Sequence, residues 1–115
     1  MLAPKYDIPM EHILTKKPTS SISVSSWARS IREFQLDDIF DTTVLGRSYE
    51  YIAAVSHLQK NRQQVVAQLP AHGYEVKLTL SQSMINGSCT CPYPAACKHI
   101  AATILKLRQL GEEEE

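Results

Sequence analysis

The feature that most constrains this chain is a cluster of cysteine and histidine residues near its C-terminal end. All three cysteines of the 115-residue sequence, Cys89, Cys91 and Cys97, lie with His99 inside the 11-residue window 89–99. An odd number of cysteines argues against a closed disulfide framework, and thiolate and imidazole are the ligands that zinc prefers. The cluster therefore predicts one zinc ion held by these four residues.

Each half of the cluster supplies two ligands. Residues i and i+2 of a strand face the same side, so Cys89 and Cys91 present both sulfurs to one point at the end of a predicted strand. In a regular helix i and i+2 diverge, so we place Cys97 at the N-cap of the last helix, where its thiolate accepts backbone N–H groups. Three thiolates and a neutral imidazole around Zn²⁺ leave no open position, which predicts a structural site.

Three other interpretations of the cluster stay open. The cysteines can be buried as small hydrophobic side chains. Cys89 and Cys91 can form a disulfide, although an extended strand suits this poorly. Cys97 and His99 can form a catalytic pair, although no acid or oxyanion-stabilising feature accompanies them. The other histidines have no ligand neighbours at useful spacing, and we expect them at the surface or in the core: His12, His57 and His72.

Hydrophobic spacing predicts helices at both ends of the folded part. Ser26 can cap a helix over 27–35, in which Trp27, Ile31 and Phe34 form one apolar stripe. A second helix begins after Asp37 or Asp38 and continues through Gly46 to about residue 51. A third helix covers 97–110 and ends at Gly111.

Between these helices the hydrophobic residues recur at every second position. The segments 55–59, 64–69, 74–80 and 84–91 are short and alternate, which predicts antiparallel strands with one solvated face. The predicted fold is therefore α+β: a small antiparallel β-meander with N-terminal helices and a C-terminal helix, stapled by zinc. Three apolar residues of that helix are expected to hold it to the sheet, so chelation is expected to melt residues 89–110.

The length fits a single domain. Residues 1–24 are polar and contain Pro18, which predicts a flexible N-terminal arm; alternatively the arm docks on a partner through Ile8, Ile13 and Leu14. Residues 25–111 form the zinc-binding domain, and residues 112–115 form an acidic tail.

The net charge is zero, with 12 basic and 12 acidic side chains. Residues 46–111 nevertheless contain seven basic residues against two acidic ones, a net charge of +5, which permits a nucleic-acid partner without requiring one. No apolar run reaches the ~20 residues of a membrane-spanning helix, and no secretory signal is apparent. These observations exclude an integral membrane protein and a collagen-like chain, and the expected compartment is the cytoplasm.

The cluster resembles the SWIM zinc finger family. The residues that carry the resemblance are Cys89-Thr90-Cys91 and Cys97-Lys98-His99, ahead of an alanine-rich apolar helix. The likeness extends upstream to about residue 38, through five residues that match in order: Gly46, Tyr49, Val55, Tyr74 and Val76. One departure is the loop between Cys91 and Cys97, which is at or below the short end of what the family pattern allows.

The resemblance implies a DNA-binding or protein-binding module, as found in Swi/Snf-type DNA-dependent ATPases, Mutator-type transposases and partners of recombinase paralogues. The chain has no Gly-x-x-x-x-Gly-Lys-Ser/Thr loop, so nothing predicts nucleotide hydrolysis or an enzyme. We expect nonspecific DNA binding through Lys98, Lys106 and Arg108, with Lys60 and Arg62 as secondary contacts. The alternative is a protein-interaction module that docks on an ATPase or recombinase paralogue without touching DNA.

Overall fold

The structure, a computed structural model, describes residues 11–15, 17–92 and 96–113. The strands are β1 (Glu11–Ile13), β2 (Ser56–Lys60), β3 (Gln64–Leu69), β4 (Tyr74–Ser81) and β5 (Met84–Cys89). The helices are α1 (Val24–Ser30), α2 (Glu33–Ile39), α3 (Thr42–Ser48), a 3₁₀ helix (Tyr49–Ala54) and α4 (Lys98–Glu113).

The five strands form one antiparallel sheet in the order β1-β5-β4-β3-β2. Two tight connections fix its register, because Leu69 pairs with Tyr74 and Ser81 pairs with Met84. The alternating residues Val65, Ala67 and Leu69 of β3 and Val76 and Leu78 of β4 are fully buried, while Lys77 between the last two is exposed. The predicted α+β fold with an antiparallel meander is confirmed.

The helices cover the hydrophobic side of this sheet. Helix α4 contacts β4, β5, α1, α3 and the 3₁₀ helix. Gly87 of β5 makes the close approach of α4 feasible, since a Cβ there would lie 3.3 Å from Ile100, 3.2 Å from Leu78 and 3.0 Å from Leu14. Among the described residues, no helix is both long and apolar enough to cross a bilayer.

Part of the predicted flexible arm is instead a strand of the sheet. Residues of β1 pair with 86–88 of β5, and Leu14, which is buried, donates its N–H to the Ile85 carbonyl at 2.7 Å. Further along, Thr19 donates its N–H to the Ser83 carbonyl. The arm prediction is therefore wrong for residues 11–14, whereas residues 1–10, with Ile8 of the alternative docking arm, lie outside the described part.

The predicted helix 27–35 is two helices. Helix α1 starts earlier than expected because Ser23, not Ser26, is its N-cap, accepting the Ser26 N–H at 3.0 Å. It ends at Ile31, which is extended, and the Gln35 side chain then accepts the Arg32 N–H at 2.8 Å at the start of α2. This break rotates the second segment, so Phe34 is 64% exposed instead of joining the core.

The second predicted helix also begins later than its pattern indicated. Asp41, not Asp37 or Asp38, accepts the Thr43 N–H at 3.1 Å and caps α3. The helix does continue through Gly46, as predicted, and then tightens into the 3₁₀ helix that ends at Ala54.

Helix α4 does not stop at Gly111. It runs to Glu113, so the predicted acidic tail begins inside the helix, and Glu114 and Glu115 lie outside the described residues. The missing side chain of Gly111 has a packing role here, because the aliphatic part of Arg29 lies where a Cβ would stand.

Candidate metal centre

The end of β5 positions the first two ligands. Cys89 is the last residue of β5 and pairs with Val76 of β4. The pairing continues one residue further, because Thr90 and Glu75 exchange hydrogen bonds: the Thr90 N–H donates to the Glu75 carbonyl, and the Thr90 hydroxyl accepts the Glu75 N–H. Cys91 therefore lies two residues beyond the end of β5, whereas the sequence predicted a strand that extends to residue 91.

The start of α4 positions the other two. The Cys97 carbonyl accepts the Ala101 N–H at 3.1 Å, and the Cys97 sulfur accepts the Ile100 N–H. Both bonds are those of an N-cap residue, so the predicted place of Cys97 is confirmed. His99 follows in the first turn of the helix.

The four ligand atoms converge on one point. All lie within 4.8 Å of one another, and His99 Nδ1 lies 3.5 Å from Cys89 Sγ and 3.6 Å from Cys97 Sγ. Tetrahedral zinc with its usual bond lengths separates sulfur from nitrogen by about 3.6 Å. The cluster thus fits one structural zinc ion held by four protein ligands.

Burial and mutual contact set the protonation of the thiols. A hydrogen bond to Cys97, together with burial, raises the pKa of Cys89 far above its ordinary value. The same bond, aided by His99 and the Ile100 N–H, lowers the pKa of Cys97 to about 4. Without metal, the Cys89 thiol therefore donates to the Cys97 thiolate. The three cysteines, all described, form no disulfide, so the Cys89–Cys91 alternative is wrong.

Aromatic rings surround the His99 imidazole, which the sequence did not indicate. The ring of Tyr74 lies 4.8 Å from it, that of Tyr51 lies 5.2 Å away edge-on, and that of His72 lies 6.5 Å away. Lys98 Nζ lies 4.8 Å from the centre of the Tyr51 ring, a cation–π contact. Together Tyr51, His72 and Tyr74 form what we call the aromatic rim of the site.

A cleft of about 600 Å³ borders the metal centre: three of the four ligands, Cys91, Cys97 and His99, line it, together with residues of α3 and the start of α4. Arg47 of α3, Tyr74 of β4 and Lys98 of α4 also line it. Arg47 was counted in the basic segment but not predicted as a contact residue. Only the packing of α3 against α4, which is not encoded in local sequence spacing, brings it to the site.

The five predicted nucleic-acid contacts do not form one patch around the cluster. Lys98 lies between two ligands, and Lys106 and Arg108, both half-buried, lie about 12 and 15 Å further along α4. Lys60 and Arg62 are exposed at the β2–β3 turn, at the opposite end of β3 from the turn that leads into Tyr74.

Comparison with known families agrees with the geometry. Residues 74–108 match the family model of the SWIM zinc finger. The matched span contains β4, β5, all four ligands and most of α4, while Gly46, Tyr49 and Val55 of the upstream resemblance lie before it. Neither the search of curated proteins nor the search of solved structures found a match.

Proposed function

Residues 74–108 of this chain are a SWIM zinc finger, and on that premise we propose that the protein is a non-enzymatic module that binds DNA through the sugar-phosphate backbone. The observation that carries the proposal is the cleft beside the finger, which has a cation on each wall: Arg47 on α3 and Lys98 on α4. Phosphate contacts from such side chains position a protein on DNA without reading sequence.

The finger supplies the rigidity that such contacts need. Zinc in a site of four protein ligands acts as a structural cross-link, here between the end of β5 and the start of α4. Lys98 is the residue between Cys97 and His99, so its backbone is fixed from both sides. The burial of Cys97 and His99, 2% and 4% exposed, argues against the alternative of a catalytic pair.

The thiolate ligands also support a cytoplasmic location. Disulfides form in oxidising compartments, while thiols stay reduced in the cytosol. A finger built on three cysteines without a disulfide suits the reducing environment, and a cytoplasmic location is part of this proposal.

A salt titration with matched variants tests DNA binding. We expect duplex affinity to fall as salt rises, because bound phosphates release counterions. The double variant Arg47→Gln/Lys98→Gln should reduce the slope of log affinity against log salt by about 2. The variant Lys60→Gln/Arg62→Gln removes the same charge at the other end of β3, and a smaller effect there would locate the contacts at the finger.

A second candidate function is docking on a partner protein such as an ATPase or recombinase paralogue. Phe34, which is 64% exposed, borders a groove of about 450 Å³ and favours it, because exposed apolar surface often marks protein interaction sites. Absence of DNA binding even at low salt would select this second function. If DNA binds but the Arg47/Lys98 variant keeps the full salt slope, the finger is not the contact surface.

A further inference from the structure

We propose that the cleft beside the metal centre binds an unstacked base of single-stranded nucleic acid, with the base on Tyr74 and the adjoining phosphates held by Arg47 and Lys98. The inference rests on the proposed function and adds to it the strand form of the ligand. It starts from the aromatic rim, because a site that contacts only phosphates has no use for aromatic rings at its border.

Tyr74 is placed to offer a ring to a ligand. It is half-buried, its ring packs on His99 at 4.8 Å, and it lines the cleft. One side of the ring is therefore supported by the zinc-binding core while the residue borders open space. Aromatic side chains held in this way are the stacking platforms of proteins that bind single strands, and they tolerate any base.

The charges beside Tyr74 suit the backbone of the same strand. Arg47 is exposed, and Lys98 is half-buried with its ammonium over the Tyr51 ring. The cleft also contains one acid, Asp41, whose carboxylate accepts the Thr43 N–H as the cap of α3. Zinc with three thiolates adds a charge of −1, so the cleft as a whole is close to neutral, and Arg47 and Lys98 supply its positive charges for contacts with phosphates.

The shape of the site favours a single strand over a duplex. A cleft of about 600 Å³ lies within the usual range of small-ligand pockets, ~300–1,000 Å³, and so has room for one base. A base inside a duplex is stacked on both faces and shows only its edges in the grooves. A duplex would have to unstack a base to place it in the cleft, whereas a single strand can place an unstacked base there without the cost of unstacking.

The test compares three ligands with the unmodified zinc-bound protein, by fluorescence anisotropy at one salt concentration. The ligands are a labelled thymidine strand of about 12 nucleotides, an abasic strand of the same length and a duplex of the same length. The abasic strand keeps the phosphates and lacks the bases, so stacking predicts that it binds about 10-fold more weakly than the thymidine strand.

Variants locate the stacking ring. We expect Tyr74→Leu to lose about 10-fold in affinity for the thymidine strand but not for the abasic strand, and Tyr74→Phe to keep wild-type affinity. Tyr49, which is 50% exposed and lies outside the aromatic rim, provides the matched control Tyr49→Leu, which should bind normally. Zinc content is measured for each variant, because Tyr74 contacts a ligand residue.

The outcomes separate the two proposals. Equal affinity for all three ligands would overturn the stacking site and leave the phosphate-binding function standing. Failure of every ligand to bind would overturn both. Preference for the thymidine strand that survives Tyr74→Leu would place base stacking elsewhere and overturn the assignment of Tyr74.

Discussion

At the scale of single residues, Cys97 makes two contacts of different kinds. Its sulfur belongs to the metal cluster, and as the N-cap of α4 it also accepts the Ile100 N–H. Serine is among the best N-cap residues but is a poor replacement for a thiolate ligand. The variant Cys97→Ser therefore separates the metal from the cap.

We predict that Cys97→Ser loses its zinc while retaining most of the helix content of α4. Elemental analysis should find about one equivalent of zinc in the wild-type protein and far less in the variant, and far-ultraviolet circular dichroism reports the helix. Thr90→Ser is the control, since Thr90 lies between two ligands and its hydroxyl contact with Glu75 is retained by serine. Full zinc retention in Cys97→Ser would remove that residue from the site.

Protonation of the thiols predicts how zinc affinity depends on pH. Cys97 has a pKa of about 4 and is already a thiolate at neutral pH, whereas the raised pKa of Cys89 keeps that thiol protonated. Zinc must displace the Cys89 proton, so each added equivalent of zinc releases at least one proton. The affinity for zinc should therefore fall at least about 10-fold for each unit of pH between 8 and 6.

Titration calorimetry in two buffers with different heats of ionisation counts the released protons. A count of zero, with an affinity that does not change with pH, would show that Cys89 is already deprotonated in the metal-free protein.

At the scale of elements, the turn between β4 and β5 carries a measurable cost. Gln82 and Ser83 have φ angles of 53° and 65°, in the left-handed region, and they form a two-residue hairpin between Ser81 and Met84. Such turns favour Asn-Gly, since other residues are strained there by about 1–2 kcal/mol each.

We predict that Gln82→Asn/Ser83→Gly raises the free energy of unfolding by about 1 kcal/mol, through relief of the left-handed conformation. Chemical denaturation measures the change. The matched control is Ser81→Gly, next to the turn but within β4, which should destabilise the protein because glycine weakens a strand interior. An unchanged or lower stability of the double variant would contradict the assigned turn.

Elements whose pattern is local were predictable, and those that depend on distant partners were not. The alternation of β3 and β4 was read from neighbouring residues, and so was the short connection between the predicted strands 74–80 and 84–91. Strand β1 has three residues, and only its partners in β5, about 75 positions away, make it a strand. At Ile31 the apolar stripe favours one uninterrupted helix, whereas the end of α1 and the start of α2 favour a break. The apolar spacing alone therefore predicted the uninterrupted helix.

At the scale of the whole molecule, α4 is more deeply embedded than its apolar stripe indicated. From the sequence, three side chains were expected to hold it, but seven residues between Ile100 and Leu107 are buried: Ile100, Ala101, Ala102, Thr103, Ile104, Leu105 and Leu107. Burial of a large apolar side chain stabilises by about 1.5–3 kcal/mol. The expectation that chelation melts all of residues 89–110 is therefore revised.

We predict that chelation exposes the amides of residues 89–91 and 97–99 and leaves Ile104 to Leu107 protected. Hydrogen exchange with and without chelator measures this, with the amides of β3, remote from the metal, as the internal control. Loss of protection at Ile104 and Leu107 would show that zinc, not the core, holds the helix in place.

The metal ligands were predictable because all four lie within 11 residues, so their geometry needs only a strand end and a helix start. The cleft was not, because it requires α3 and α4 to pack together. Arg47 and Lys98 are about 50 residues apart, and no local pattern joins them.

The edge position of β1 sets an order of events during synthesis. Among the described strands its partner is β5, which is made about 75 residues later. The growing chain therefore holds β1 without this neighbour while β2, β3 and β4 can already pair. The ligands of the finger leave the ribosome at the same late stage, with β5 and α4. Long-range pairing of this kind slows folding, and pairing of β1 with β5 and capture of the metal thus belong to one step, after β2, β3 and β4 have emerged.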